Sequence, residues 1–162
     1  MSKKVHFFTE NIIFKLPSKK VYKEWVAHMV ENVYNKKVGE LNYIFCSDHY
    51  LHSINMQYLN HDTLTDIITF DNSEPGSNEI SGDVFISIER VTENAQKYNK
   101  EMLNELARVM IHGVLHLCGF KDKNASDQKI MRKEEDNCLQ ILDNMLKAAA
   151  EAKAAAAMNQ EN

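Results

Sequence analysis

The feature that most constrains the fold is a change of hydrophobic pattern near Ile88. Before this residue, short apolar or alternating segments typical of strands interleave with helical patterns, and after it every segment has a helical pattern. Early alternation of strands and helices favours parallel pairing, while the Pro75-Gly76 loop favours an antiparallel pair on either side of it. We therefore predict an α+β fold: a single domain with a mixed four-stranded sheet and about five helices.

The predicted strands cover residues 5–13, 41–45, 65–70 and 83–87, and residues 71–81 form a polar connection. A first helix is indicated by an apolar stripe that Ser18 could cap. A second, short helix begins near Asp48, and three more cover about 88–98, 100–118 and 126–147. The residues expected to face the core are Val21, Trp25, Met29 and Val33 in the first helix, and Leu51, Ile54 and Tyr58 in the second.

Composition excludes several classes of protein. The chain has 162 residues and a formal net charge of −4, which rules out a uniformly basic nucleic-acid coat but not a local basic patch. Three cysteines with no CxxC pair favour a reducing, cytoplasmic setting, and no apolar run approaches the roughly 20 residues that span a bilayer. Residues 1–146 form the predicted domain. Residues 147–162 form an Ala-rich helical tail that is free to fray and receives no function.

One segment carries the chemistry. His112 and His116 are four residues apart, so both imidazoles project from one face of a helix. Gly119 can end this helix in the left-handed conformation and turn the chain back, which brings Asp122 beside the two rings. The spacing is that of a zincin-like metal helix, with a carboxylate as third ligand. Two imidazoles and one carboxylate suit Zn²⁺ and leave a fourth position open, as in catalytic sites.

Neighbouring residues qualify this prediction. Asn124 and Asp127 are weaker candidates for the third ligand, and Cys118 lies on another side of the helix, where simple burial is expected. Metallopeptidases of the H-E-x-x-H type have a general base after the first histidine, but here this residue is Gly113. Gly113 either packs closely against a strand or leaves room for a bulky substrate.

The stretch HGVLHLCGFKD at residues 112–122 resembles the signature H-G-x-L-H-L-x-G-[YF]-D-H of the YbeY family of bacterial metal-dependent endoribonucleases. Two further segments match: TDIITF at 65–70 resembles T-D-V-L-S-F, and SGDVFIS at 81–87 resembles G-D-I-x-I-S. The resemblance covers about residues 5–146. It implies a compact α+β fold, one zinc-like ion, and single-stranded RNA as substrate in ribosomal RNA maturation, including 3′-end processing of small-subunit rRNA and ribosome quality control.

Two of the departures from the family pattern bear on the predicted site. Asp122 replaces the third histidine of the signature, which could broaden metal choice from Zn²⁺ toward Mn²⁺ or Ni²⁺. Leu59 occupies the place of an arginine that follows the family's L-N-x-x-Y run, and nearby His61 is a weak substitute for that cation. The implied partners are ribosomal RNA and the small ribosomal subunit or its associated proteins. Oligomeric state and native metal are left open.

Other candidate residues surround the metal segment. Asp66 and Asp83 lie on predicted strands, where they either orient a ligand imidazole or cap turns. Four cations are candidates for phosphate contacts: Lys121, Lys123, Lys129 and Arg132.

Two other functions stay open beside the nuclease. One is a metallopeptidase of the aspartate-ligated zincin type, which Gly113 disfavours. The other is a non-enzymatic ribosome assembly factor whose metal only fixes the end of the helix.

Overall fold

A computed structural model describes residues 4–59 and 65–160. Its strands are β1 (Val5–Glu10), β2 (Lys37–Cys46), β3 (Ile67–Asp71) and β4 (Glu79–Ser87). Its α-helices are α1 (Lys19–His28), α2 (Asp48–Leu59), α3 (Ile88–Lys97), α4 (Met102–Leu117) and α5 (Ala125–Gln160), and a π-helical turn (Met29–Val33) follows α1. The predicted α+β fold with one mixed four-stranded sheet and five α-helices is confirmed.

The four strands lie in the order β1-β2-β4-β3. β1 and β4 both pair with β2 in parallel, and β3 pairs with β4 antiparallel, as the Pro-Gly connection predicted. The register places Tyr43, Val84 and Thr69 side by side on one face, which we call the front face. Their neighbours Ile44, Phe85 and Ile68 lie on the opposite face, which we call the back face, because side chains alternate along a strand.

The main core lies between the front face and the helices α1, α4 and α5. Trp25 of α1 is fully buried, and its indole N–H donates to the carbonyl of Cys138 in α5 at 2.8 Å. The buried Tyr43 hydroxyl donates to the carbonyl of Met110 in α4 at 3.0 Å. The first bond joins α1 to α5, and the second fixes α4 against β2 of the sheet. On the back face, α2 buries Leu51 and Ile54 in a smaller cluster.

Details of the first two helices were predicted wrongly. Ser18 has a left-handed backbone (φ 54°) and makes no side-chain cap, although its carbonyl accepts from the Val21 N–H at 2.9 Å. Val33, the last residue of the predicted stripe, lies in the π-helical turn, where the α-helical repeat no longer applies, and is 41% exposed. Tyr58, expected to face inward, is 62% exposed and lies edge-on to Phe70.

Helix α5 runs from Ala125 through Gln160, and its contacts with the main core end at Leu146. Side chains 147–159 are exposed. The division of the chain at residue 146 stays a prediction. Within the described ranges, no helix combines the length and apolar character that crossing a lipid bilayer requires.

Candidate metal centre

The C-terminal end of α4 positions the two histidines. His112 and His116 lie on one face, with ring centroids 4.6 Å apart. Gly119 then adopts φ 106°, its N–H donates to the carbonyl of His116 at 3.0 Å, and the N–H of Phe120 donates to the carbonyl of Leu115 at 3.0 Å. This pair of bonds is a Schellman motif, in which a left-handed glycine reverses the chain. The predicted turn is therefore present, and it brings Asp122 back to the helix end.

Three donor atoms converge in the space between these residues. The Nε2 atoms of His112 and His116 are 3.0 Å apart, and Asp122 Oδ2 lies 3.3 Å from the first and 3.4 Å from the second. Ligands of a tetrahedral zinc ion, each about 2.0–2.1 Å from the metal, stand roughly 3.3 Å apart. The donor set and its spacing therefore fit a divalent cation. The cluster borders a cavity of about 530 Å³, which leaves a further coordination position accessible.

Glu135 of α5 fixes the orientation of His112. Its Oε2 lies 2.7 Å from His112 Nδ1, and its Oε1 accepts from Arg108 Nη1 at 2.8 Å. Burial alone would raise the pKa of Glu135, but the hydrogen bonds from His112 and Arg108 outweigh it and hold the pKa below its ordinary value. An ionised carboxylate only accepts, so Nδ1 carries the proton and the Nε2 lone pair points at the cluster. This is the arrangement that metal-ligating histidines usually have.

The electrostatics of His112 follow from the same contacts. Burial opposes a charge on the ring, but the hydrogen bond to Glu135 and the charges of Glu135 and Asp122 outweigh burial, so the pKa of His112 is raised. A cation is therefore favoured at this position, as a proton or as a metal ion.

Glu135 was not among the residues predicted from the sequence. It lies 23 residues after His112 on another helix, within the charged run 132–136. A signal was nevertheless available. Met131, Cys138 and Leu142 are the buried residues of this face of α5, and Glu135 occupies a position of the same helical stripe. A glutamate in a core stripe requires a cationic or hydrogen-bonding partner.

Asp66 and Asp83, both expected on strands, lie in different surroundings: Asp66 directly precedes β3, and Asp83 belongs to β4. Asp66 lines the cavity beside His112, and burial raises its pKa. Asp83 lies on the back face, where its carboxylate accepts from Asn42 Nδ2 at 3.0 Å and Asn72 Nδ2 at 3.3 Å. The expectation that Asp83 supports a ligand imidazole is wrong, because Gly82 and Val84 are the residues that face α4.

The weaker candidates for ligands lie outside the cluster. Asn124 Oδ1 accepts from the backbone N–H of Asp127 at 2.8 Å and so caps the start of α5. Cys118 is half-buried against the main core, and burial raises its pKa to about 11. Leu59 is 41% exposed at the end of α2, and His61 lies outside the described residues.

Gly113 packs closely against the sheet. A Cβ at this position would lie 3.0 Å from Val84 Cγ1, 3.1 Å from Thr69 Oγ1 and 3.2 Å from Ile67 Cδ1. Close packing therefore explains the glycine, and the alternative that it leaves room for substrate is wrong.

The four candidate RNA-contact cations are exposed, and their contact with RNA stays a prediction. Arg132 differs from the other three because it borders a second, adjoining cavity of about 260 Å³, which also reaches Asp66 and His112. The four are Lys121, Lys123, Lys129 and Arg132.

Comparisons with known proteins agree with this geometry. The family model described as Endoribonuclease YbeY matches residues 6–143. The chain belongs to the YbeY endoribonuclease family. This confirms the family predicted from the three motifs, together with the enzyme class, because an endoribonuclease is a hydrolase.

Several relatives named Endoribonuclease YbeY are similar over most of the chain. The protein of Flavobacterium psychrophilum is 52% identical over 134 residues, which are 83% of this chain and 94% of the relative. That of Flavobacterium johnsoniae is 50% identical over 76% of this chain and 86% of its own. The protein of Christiangramia forsetii is 49% identical over 82% of this chain and 90% of its own.

A solved structure supports the fold alone. The solution structure of TM1509 from Thermotoga maritima matches with a TM-score of 0.62 and 24% identity, covering 90% of this chain and 93% of that one.

Proposed function

We propose that this chain is a metal-dependent endoribonuclease that cleaves single-stranded RNA at the His112–His116–Asp122 cluster. Its place is in the cytoplasmic maturation of ribosomal RNA, at the 3′ end of the small-subunit rRNA, and in ribosome quality control, with the small subunit or its proteins as partners. The observation that carries the proposal is the convergence of three donor atoms within 3.0–3.4 Å, in a chain of an endoribonuclease family.

The donor set indicates which cation is held. His112, His116 and Asp122 would bind one divalent ion, with Zn²⁺ favoured by the two imidazoles and Ni²⁺ or Mn²⁺ compatible with the carboxylate. When bound, such an ion supplies Lewis acidity toward a phosphoryl oxygen and lowers the pKa of water.

The remaining residues of the cavity handle the proton. Asp66 and Asp71 are the carboxylates of the wall apart from Asp122. Asp71 Oδ1 already accepts from the backbone N–H of Ser73 at 2.9 Å. Asp66 borders His112 in this cavity, and burial raises its pKa, which suits exchange of a proton with a substrate hydroxyl or water. Asp66 is therefore the residue to which we assign proton transfer.

The alternatives receive no support from the site. A peptidase of the zincin type needs a glutamate after His112, and the tight contacts around Gly113 leave no space for one. The assembly-factor alternative requires only that the cluster stabilise the helix end. It differs from the nuclease in predicting RNA binding without cleavage.

The test compares the wild type with His116→Ala, using His28→Ala as matched control because His28 contacts Asn32 at the surface. Each protein is loaded with zinc and given an end-labelled single strand and its duplex. We expect the wild type and His28→Ala to cut the single strand, and His116→Ala or a chelator to abolish cutting while circular dichroism shows a folded chain.

The products discriminate further. A 2′,3′-cyclic phosphate indicates attack by the 2′-hydroxyl, and a 3′-hydroxyl end indicates attack by water. Binding of RNA without cleavage by the zinc-loaded wild type would support the assembly factor, and undiminished cleavage by His116→Ala would contradict the metal site.

A further inference from the structure

A row of aromatic side chains crosses the back face of the sheet. Two adjoining cavities of about 660 Å³ and 340 Å³ share Tyr50 and Phe85 and together form one depression, the back-face groove. Phe8 borders its β1 end, and Phe70 and Tyr58 border its β3 end. Its centre lies on the opposite side of the sheet from the metal cluster, and its β1 end reaches around this edge strand to the front-face residues Phe7 and Phe45.

Four rings of this groove contact one another in a chain. Tyr50 and Phe85 stack with centroids 6.4 Å apart, Phe70 meets Phe85 edge-on at 5.8 Å, and Tyr58 meets Phe70 edge-on at 6.0 Å. Phe8 is 51% exposed and Tyr58 is 62% exposed. Tyr50, Phe70 and Phe85 pack on one side against the smaller cluster and are partly exposed, so that together with Phe8 and Tyr58 they leave aromatic area open to solvent. Exposed aromatic area that lines a groove is typical of a binding surface. Aromatic rings on a sheet face are a common platform on which unpaired bases stack.

The charges of the groove fit a nucleic-acid strand. Lys15 and Lys19 border its β1 end, both are exposed, and neither forms an ion pair within the described ranges. The acids of the lining are Glu10 and Asp83, and both oxygens of Asp83 already accept from asparagine amides. In proteins that bind single strands, cationic side chains contact the phosphates and aromatic rings stack on the bases.

The groove and the metal cavity meet at the edge of the sheet. β3 is an edge strand, and its residues Ile67, Thr69 and Asp71 line the metal cavity. The alternating residues Phe70 and Asn72 line the back-face groove. A nucleic-acid chain that leaves the metal cavity past Asp71 therefore needs to pass around only one β-strand, β3, to reach the groove.

We infer that the back-face groove binds single-stranded RNA by base stacking, as a second contact site for a strand whose cleaved bond lies in the metal cavity. Two to three bases would stack on the rings, while Lys15 and Lys19 contact the backbone. The inference rests on the proposed function, because it takes RNA as the ligand. It adds a site on the other face of the sheet that determines how much flanking sequence the enzyme holds.

The test uses two RNA substrates with the same cleavage site, one of about four nucleotides and one of about fourteen. The variants are Tyr58→Ala and Phe8→Ala. Their matched controls are Tyr98→Ala, a tyrosine with 59% exposure outside the groove, and the fully exposed Ile13→Ala. Loss of one stacked base weakens binding by about tenfold. We expect the ratio of kcat/KM for the long substrate to that for the short one to fall about tenfold through KM in both groove variants, and to keep its wild-type value in both controls.

A binding measurement separates this inference from the proposed function. An uncleavable 2′-O-methyl strand of about fourteen nucleotides is titrated into the metal-free chain, and Lys15→Gln with Lys19→Gln is added as a charge variant. We expect weaker binding by Tyr58→Ala and Phe8→Ala, and a shallower salt dependence for the lysine variant.

Wild-type affinity in all groove variants would overturn the inference and favour a protein partner for this face. Equal losses in the two controls would also overturn it. Failure of the wild type to cleave any RNA contradicts the proposed function instead, whatever the binding result.

Discussion

The two faces of the sheet bind by different physical means. On the front face, a few polar atoms are held within 3.0–3.4 Å of one another by a helix end, a glycine turn and a carboxylate from a second helix. On the back face, aromatic rings lie 5.8–6.4 Å apart without any convergence of donors. Chemistry requires donors fixed to a fraction of an ångström, whereas stacking tolerates variation in sequence and position.

The two faces should therefore respond differently to single substitutions. The front face depends on single atoms, so one substitution removes its function. The back face depends on area, so each substitution removes a fraction. The same strand, β3, contributes to both through the alternation of its side chains.

The largest effect is expected at Asp122. Asp122→Ala removes one of three ligands, and we expect RNA cleavage to fall by about a thousandfold because the metal is lost or misplaced. Asp122→His supplies an imidazole instead and should recover most of the activity. Cleavage rates and metal content by mass spectrometry check both. If Asp122→Ala retained wild-type zinc content and activity, the claim that the front face depends on single donor atoms would be wrong.

A smaller loss is expected at Glu135. Glu135→Gln keeps the shape but no longer enforces the proton on His112 Nδ1, so metal affinity should fall about 10- to 100-fold. The adjacent Glu134→Gln is the control, because Glu134 contacts the Tyr34 hydroxyl at 2.8 Å and not the cluster. Competition with a zinc-binding dye measures the affinity. Equal affinities for the two variants would show that the carboxylate does not tune the site.

The wall between the two faces is tested at Gly82. A Cβ there would lie 2.5 Å from the Phe70 carbonyl oxygen and 3.1 Å from Leu117, so Gly82→Ala must push β3 or α4 aside. We expect a loss of about 1–3 kcal/mol in the free energy of unfolding. Gly76→Ala meets no atom and should cost only about 1 kcal/mol for its positive φ. Urea unfolding compares them, and a smaller loss at Gly82 would contradict the packing.

The smallest expected effects are changes in stability when an aspartate is replaced by asparagine, and they should have opposite signs on the two faces. Burial raises the pKa of Asp66 above its ordinary 3.8, so the folded chain holds this proton more tightly than the unfolded chain. The stability that the proton provides is present at low pH and is lost as the pH rises through the raised pKa. Asp66→Asn should therefore raise the thermal midpoint of the metal-free chain at pH 7, with the difference vanishing below about pH 4.

On the back face, the same exchange should be destabilising. Asp83→Asn replaces an acceptor that two asparagine amides share, and we expect a loss of about 1 kcal/mol at pH 7. Calorimetry of both variants at pH 4 and pH 7 checks the signs. A destabilising Asp66→Asn would contradict the electrostatic difference between the faces.

Local spacing predicted the part of the site that is local in sequence. The i, i+4 histidines, Gly119 and Asp122 lie within one turn and one reversal, and the structure brings them together. Glu135 was missed because its contact depends on how α5 crosses α4, which no spacing within α4 determines. Asp83 was misplaced because its face depends on strand parity. The buried Gly82 and Val84 carried that signal.

The burial of individual helix residues was also only partly predictable from sequence spacing. The stripe from Val21 to Val33 indicated a helix correctly, but Val33 is exposed, because it lies in the π-helical turn, where the α-helical repeat no longer applies. The back-face groove had no sequence signal, since its rings come from β1, β3, β4 and α2 and converge only through the sheet register.

The most direct measurement is anomalous diffraction at the zinc edge from crystals of the zinc-loaded chain. We expect one strong peak about 2.0–2.2 Å from His112 Nε2, His116 Nε2 and Asp122 Oδ2. A principal peak bound to Cys118, or one bonded to the two imidazoles but not to the carboxylate of Asp122, would contradict the three-ligand centre.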